Sequence, residues 1–494
     1  MNRATISNIE RIRRLALSSA SKTAVRHLGS TGKETHRTYG ELWEDVVGAV
    51  AHLVAEGVGP RDVVAVRVSH GLTHVVYSLA TWSVGATLLP LDPGLPADRL
   101  QALKETITNL VVLGNDAAAD VVAQWPIAPL PARSRPTIAH DLSPRFARST
   151  GGSTGRPSVG IARNPAWTTR PGHLLEDSYA GVDTDLAELG VAHDQVQLVT
   201  LPQHHAGFTC LHYGLALGQE IILLDRFSPH DAVHLMKEFR VNFLRIVPTQ
   251  MRMVLEIPEV DRSAFADAKA VHHGAGPCPD SVKRDWISLV GKENLYETYT
   301  TAEALFHLAV RGDAWLEEPG SIGRPRPGCA VILDGSGRVC GPEEEGEVYL
   351  KSPTTALPYE QLGTPRVLRS WGDYVSVGDL GYLSKTGNLH LTGRAGQVLL
   401  VGGVNVNAAR VERVLLDMDG IEDAVVVGRP DPLLGQSVHA VVVLAEETDL
   451  NSAWFQRECR RRLSASEVPT SVEIRESLYR NASGKIARAE FEAT

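Results

Sequence analysis

The chain has 494 residues, 43% apolar and 22% charged, an ordinary soluble composition spread over a length that suits two to four compact units. Its formal net charge of −9 argues against wholesale binding to nucleic acid or to an anionic membrane. No apolar run approaches membrane-spanning length.

The first residues, MNRATISNIERIRRLALSSASK, lack the continuous apolar core and the cleavage site of a secretory signal. Ile6, Ile9, Ile12 and Leu15 fall on one side of a helix instead; Arg11, Arg13 and Arg14 leave a transit peptide as the alternative. A second helix is predicted over Tyr39 to Gly57, with Gly57 as its stop. Short β-branched runs at Asp62–Val68, Asn109–Leu113, Val196–Leu201, Ile221–Asp225 and Phe243–Val247 read as buried strands. Strands alternating with helices predict parallel sheets covered on both faces. After Ala330 the runs AVILDGSGRV, GEVYLKS and NLHLTGR are shorter and hairpin-like, with turn signals at Asp334-Gly335 and Thr386-Gly387-Asn388. A last unit follows Arg394: a helix over Ala408 to Met418, strands AVVVG and HAVVVLA, then the polar helix SAWFQRECRRRL. At about a hundred residues it is large enough to fold. The cysteines, Cys210, Cys278, Cys329, Cys340 and Cys459, are odd in number and never form a CxxC pair. They predict buried thiols in a reducing, cytoplasmic setting and give no zinc signal.

The stretch RSTGGSTGRPSVG, Arg148 to Gly160, suits neither a helix nor a strand. Its glycines let successive N–H groups face one concavity and its hydroxyls add neutral donors, which is the chemistry of a phosphate cradle. A Walker loop would end in Gly-Lys-Ser/Thr, whereas Gly155 is followed by Arg156-Pro157. Taken alone, the stretch is either another kind of nucleotide loop or a flexible linker.

ETYTTAEA (Glu297–Ala304), SVGDLGY (Ser376–Tyr382), LTGRAGQVLLVGGVNV (Leu391–Val406) and RNASGKIAR (Arg480–Arg488) follow that loop in order. GATLLPLDP, LPQHHAGF, HHGAGPCP and GSIGRPRPG stand among them. The set resembles the acyl-adenylate-forming superfamily of acyl- and aryl-CoA synthetases, peptide-synthetase adenylation domains and luciferases, from Thr38-Tyr39 to Lys485. The resemblance implies an α/β protein whose large domain, residues 1–392, has parallel sheets covered by helices plus a small β-barrel-like part. A small mobile α/β domain, residues 393–494, would carry the catalytic lysine. The implied reaction is attack of a carboxylate on the α-phosphate of ATP, giving acyl-AMP and pyrophosphate. Two anions must meet, so charge neutralisation and alignment dominate.

On this resemblance Thr150, Gly151, Gly152, Ser153, Thr154 and Gly155 hold the β- and γ-phosphates. Glu303 binds Mg²⁺, a hard cation suited to carboxylate. Tyr299 stacks on adenine, with the small residues Gly274, Ala275 and Gly276 on its other face. Asp379 accepts both ribose hydroxyls, and Arg394 contacts ribose or phosphate. Thr301, like Thr300, is a candidate for the phosphate hydroxyl that Ala302 lacks. Lys485 bridges the attacking carboxylate and the α-phosphate. His205 lines and gates the acyl pocket, and His204 points elsewhere if the segment is extended. The plain alternatives are a solvated Glu303, a core Tyr299 or His205, ordinary turns at Gly274–Gly276 and Asp379, and a surface ion pair at Arg394.

The implied acceptor is coenzyme A, with Gly402-Gly403 along the pantetheine path. Three positions depart from the family pattern: Ser158 replaces a lysine, Ala302 a threonine, and Gly396 the usual Asp or Lys of the hinge. They keep an amine acceptor open, giving an amide bond synthetase in which His205 helps remove the amine proton. A non-catalytic nucleotide-binding relative is disfavoured by Glu303, Asp379 and Lys485 standing together. LPQHHAGF has no acidic residue to pair an α-ammonium, so a neutral aryl or medium-sized acyl acid is expected rather than an amino acid. The sequence leaves the oligomeric state open.

Overall fold

A computed structural model describes residues 6–29, 32–68, 71–114, 145–150, 158–162, 168–169, 186–204, 206–300, 307–351, 359–362, 368–445, 452–480, 486 and 488–492. They pack as two discontinuous units. The first takes Met1–His273, Leu289–Arg311 and Ser352–Val367; the second takes Gly274–Ser288, Gly312–Lys351 and Leu368–Thr494. The boundary expected at 392/393 therefore falls inside the second unit.

The first unit is built on two sheets. In the eight-stranded one, Val196–Val199 lies between Glu220–Leu224 and Phe243–Ile246, all parallel, and Thr23–Leu28 continues the sheet beside Glu220–Leu224. On the other side Ala270–Gly274, Leu295–Thr300 and His307–Arg311 follow in that order. The six-stranded sheet runs Tyr359–Leu362, Ser158–Ala162, Arg145–Thr150, Thr87–Pro90, Val63–Val66, Leu110–Leu113. Its last four strands are mutually parallel. Helices Tyr39–Ala55, Leu72–Ser83 and Ala206–Ala216 bury Leu42, Val46, Leu53, Leu79, Trp82, Phe208 and Leu215 against these strands. Burying such side chains is worth about 1.5–3 kcal/mol each. Thr38 starts the first of these helices as a reciprocal cap with Glu41. At its other end Gly57, with φ 79°, takes the chain out of the helix. The N-terminal helix begins at Asn8 rather than Ile6, because Ile6–Ser7 pairs as a strand with Thr168–Thr169. Ile9 and Ile12 are buried as the spacing predicts.

In the second unit an antiparallel sheet runs Arg369–Trp371, Tyr374–Ser376, Gly346–Leu350, Asp379–Leu383, Leu389–Arg394, with Ala330–Leu333 added beside Gly346–Leu350. The Thr386-Gly387-Asn388 signal does turn the Asp379–Leu383/Leu389–Arg394 hairpin, closed by Ser384 N–H on the Asn388 carbonyl at 2.8 Å. Asp334-Gly335 also turns, with Asp334 Oδ1 accepting from the N–H groups of Ser336 and Arg338. The strand before it, however, pairs with Gly346–Leu350 and joins the segment after the turn through the isolated bridge Leu333–Val339.

The C-terminal part has a five-stranded sheet in which Val398–Val401 lies between Val404–Asn407 and Gly435–Leu444. Ile421–Asp431 and Gly435–Leu444 form a hairpin of 11 and 10 residues, longer than the apolar cores AVVVG and HAVVVLA suggest, because pairing continues through Arg429 to Asp431. Helices Ala408–Leu416 and Ser452–Arg462 cover one face; Leu478, Ile486 and Phe491 cover the other. Among the described residues no helix is long and apolar enough to cross a membrane. None of the five cysteines is in a disulfide; three are buried and two half-buried.

Candidate active site

Thr150 ends strand Arg145–Thr150 and pairs with Ser158, the first residue of the antiparallel strand Ser158–Ala162. The glycine-rich stretch thus connects two antiparallel strands of one sheet. The side chain of Thr150 and residues Gly151, Gly152, Ser153, Thr154 and Gly155 lie outside the described residues, as do His205, Thr301, Ala302, Glu303 and Lys485.

Tyr299 is in the first unit. Strand Leu295–Thr300 buries Leu295, Tyr296 and Thr298 and leaves Glu297 and Tyr299 half-buried, the alternation that a strand imposes. Thr298 fixes its height in the sheet by donating to the carbonyl of His273 at 3.1 Å. His272 is held by the carbonyl of Leu189 at 2.7 Å.

Gly274, Ala275 and Gly276 belong to the second unit. Ala275 has φ 67°, a left-handed conformation that non-glycine residues rarely adopt. A side chain at Gly276 would meet nothing within 4 Å. Gly274 is buried, while Ala275 and Gly276 are exposed and carry little or no side chain, a surface a flat ring can lie on.

Asp379, in the same unit, opens its strand after Gly378, whose φ is 86°. The N–H of Gly378 donates to Ser376 Oγ at 2.9 Å, and its carbonyl accepts from Ala395 N–H at 2.8 Å. Asp379 is 4% exposed. Arg394, its register partner in the hairpin, donates through Nε to Oδ1 at 2.7 Å. The carboxylate accepts a charge-assisted hydrogen bond from the guanidinium, and a carboxylate acceptor suits a diol. Arg394 and Asp379 are thus brought together.

The ends of the Lys485 motif are anchored. Arg480 pairs with Asp423 and bridges to Ile486. Arg488 donates to Glu412 Oε2 at 2.6 Å and to the carbonyl of Val426 at 2.9 Å. Among the described residues no group of three His, Cys, Asp or Glu could hold a metal ion.

Other expectations change. His204 lies in a turn before helix Ala206–Ala216 rather than in an extended segment, and its Nε2 is 3.6 Å from Asp92. Gly402 and Gly403 have φ 57° and 83° at the tip of a two-residue hairpin, the left-handed conformation that such a turn takes. Gly396 sits exposed in the 3₁₀ turn Ala395–Gln397 with open space around it. Sequence reasoning missed Gln203, which accepts Gly71 N–H at 2.7 Å, and Asn407, which joins helix Ala408–Leu416 to the carbonyl of Thr392. Only Asn407 carried a signal, an N-cap residue just before AARVERVLL.

A family model described as AMP-binding enzyme matches residues 13–360. The chain belongs to the AMP-binding enzyme family. The family's C-terminal domain matches residues 410–485. This AMP-binding enzyme is 26% identical over 486 residues to a fatty acid–[acyl-carrier-protein] ligase of Streptomyces coeruleorubidus, covering 92% of this chain and 91% of that one. It is also 26% identical over 473 residues to a 2-succinylbenzoate–CoA ligase of Bacillus anthracis, covering 93% and 94%. In fold it resembles the o-succinylbenzoate CoA synthetase of Bacillus subtilis in complex with its acyl-adenylate intermediate: TM-score 0.78, 21% identity, 99% of this chain and 98% of that one. An amide bond synthetase of Marinactinospora thermotolerans is similar too, with TM-score 0.77, 23% identity and 99% of both chains. This AMP-binding enzyme is an adenylate-forming ligase with the α/β architecture of those structures.

Proposed function

We propose that this AMP-binding enzyme activates a neutral aryl or medium-sized acyl acid with ATP and passes the acyl group to coenzyme A. The observation that carries the nucleotide half is Asp379, buried, acceptor-only and charge-paired with Arg394. Asp379 takes the ribose hydroxyls, and Tyr299 and Gly274–Gly276 flank the base. The Thr150–Gly155 stretch holds the outer phosphates through N–H and hydroxyl groups. Lys485, delivered by a C-terminal domain of residues 393–494 that moves against residues 1–392, places its ammonium between the carboxylate and the α-phosphate. A carboxylate oxygen bonds to the α-phosphorus, the bond to the bridging oxygen breaks, and pyrophosphate leaves with the electron pair. Glu303, a carboxylate suited to a hard cation, would hold Mg²⁺, which supplies charge neutralisation on the phosphates. A thiolate then attacks the acyl carbonyl and AMP departs.

A second reading has an amine as acceptor, with His205 taking its proton. It is favoured by the three departures from the family pattern, Ser158, Ala302 and Gly396. Pyrophosphate release with ATP, Mg²⁺ and a panel of carboxylic acids tests the first step; no release with any acid refutes it. Mass spectrometry of products formed with coenzyme A or amines present decides the acceptor. A cytoplasmic location is part of the proposal.

A further inference from the structure

Asn407 makes two kinds of contact at once. Its Oδ1 accepts Ala409 N–H at 3.1 Å and so caps helix Ala408–Leu416, while its Nδ2 donates to the carbonyl of Thr392 at 3.0 Å. Gly393 lies directly beneath the amide: a Cβ there would stand 2.3 Å from Oδ1 and 2.7 Å from Nδ2. Further along the same helix Arg413 donates to the carbonyl of Leu391 at 3.1 Å. One helix therefore grips two successive carbonyls, Leu391 and Thr392. After Gly393 come Arg394, which holds Asp379, and Ala395, which holds the carbonyl of Gly378.

We propose that Asn407 is a positioning residue that couples the seating of helix Ala408–Leu416 to the Asp379–Arg394 pair, and thereby sets the balance between the acid-activating and acyl-transferring half-reactions. The proposal rests on the two-step reading above. The grip on Thr392 is a single neutral hydrogen bond over a glycine, strong enough to bias an equilibrium about three- to tenfold and weak enough to release. Gly393 is the residue type the joint demands, since any side chain would push the amide away.

Two substitutions separate the joint from the cap. Asn407→Asp keeps the capping oxygen, because Asp and Asn cap equally well, but turns the donor facing Thr392 into an oxygen. Asn407→Ser also caps, carries no charge and is too short to reach Thr392. In the full chain, each variant is assayed for pyrophosphate release and, separately, for acyl transfer from a synthetic acyl adenylate of the same acid. Melting and hydrogen exchange at the amides of residues 393–398 are also measured. The expected result is a ratio of the two rates shifted about three- to tenfold in the same direction for both variants. Exchange should quicken by a similar factor, and the melting temperature should stay within about 2 °C. Both rates falling together with the melting temperature, or an unchanged ratio, overturns the proposal. If the unsubstituted protein releases no pyrophosphate, the two-step reading fails by itself. Exchange then decides the coupling: unchanged protection at residues 393–398 in both variants overturns it.

Discussion

Replacing Asp379 by Ala tests the nucleotide site most directly. The carboxylate is 4% exposed and accepts from Arg394 Nε at 2.7 Å. Hydrogen bonds to a charged acceptor are worth about 1.5–3 kcal/mol each. Two ribose hydroxyls on Asp379 therefore account for about 3 kcal/mol at the low end, or about a hundredfold in the KM for ATP. The stability cost should be small, because Arg394 is 55% exposed and water can take over its guanidinium. The assay is pyrophosphate release against ATP and against 2′-deoxy-ATP. The unsubstituted enzyme should favour ATP by about tenfold or more, the worth of one such bond. Asp379→Ala should raise the KM for ATP and use both nucleotides alike. A variant that keeps both its KM and its preference for ATP would remove Asp379 from the ribose and undo the reasoning.

Lys485→Ala should lower pyrophosphate release by about 10²-fold or more, the scale of losing one well-placed stabilising donor; an unaltered rate refutes its role. Gly381→Ala should destabilise by about 1–3 kcal/mol in denaturant titration, since its Cβ would stand 2.2 Å from the backbone oxygen of His390. Gly396→Ala, with open space around it, should leave the midpoint unchanged. Hydroxyls of Ser384 and Thr386, then His390 and Asn388, hold the Glu318 carboxyl at about 2, below its usual 4.5. A carboxyl lowered by folding adds stability above about 4.5 that is lost as pH falls toward 2. The melting-temperature gap between the unsubstituted protein and Glu318→Gln should therefore shrink across that window, and a constant gap would refute the link.

The elements most visible in the sequence were those whose side chains alternate or recur against a core. Val63–Val66 and Phe243–Ile246 emerge within two residues of the predicted strands, and the Tyr39 helix stops where Gly57 stops it. What stayed hidden depends on partners distant in the chain. Ile6 belongs to a strand because Thr169 lies opposite it, and no local pattern encodes that. The reach of the Ile421–Asp431 hairpin is set by backbone pairing through polar residues, which hydrophobic patterning does not register. At the site, Asp379 and Arg394 were found as separate motif residues, and hairpin register makes them a pair. Asn407 advertised only its helix cap; its hold on Thr392 required the fold.

Phe491 is 1% exposed and, with Leu478, seals the sheet face formed by Val425, Val427, Val441 and Val443. The segment holding the RNASGKIAR motif is flanked by residues that keep this sheet dry. A polypeptide cut anywhere before Phe491 would lose a core side chain worth about 1.5–3 kcal/mol along with its tail. Inactivity after such trimming would report collapse of a hydrophobic wall as readily as the removal of an ammonium group, and single-atom edits are the sharper instrument for telling chemistry from scaffolding here.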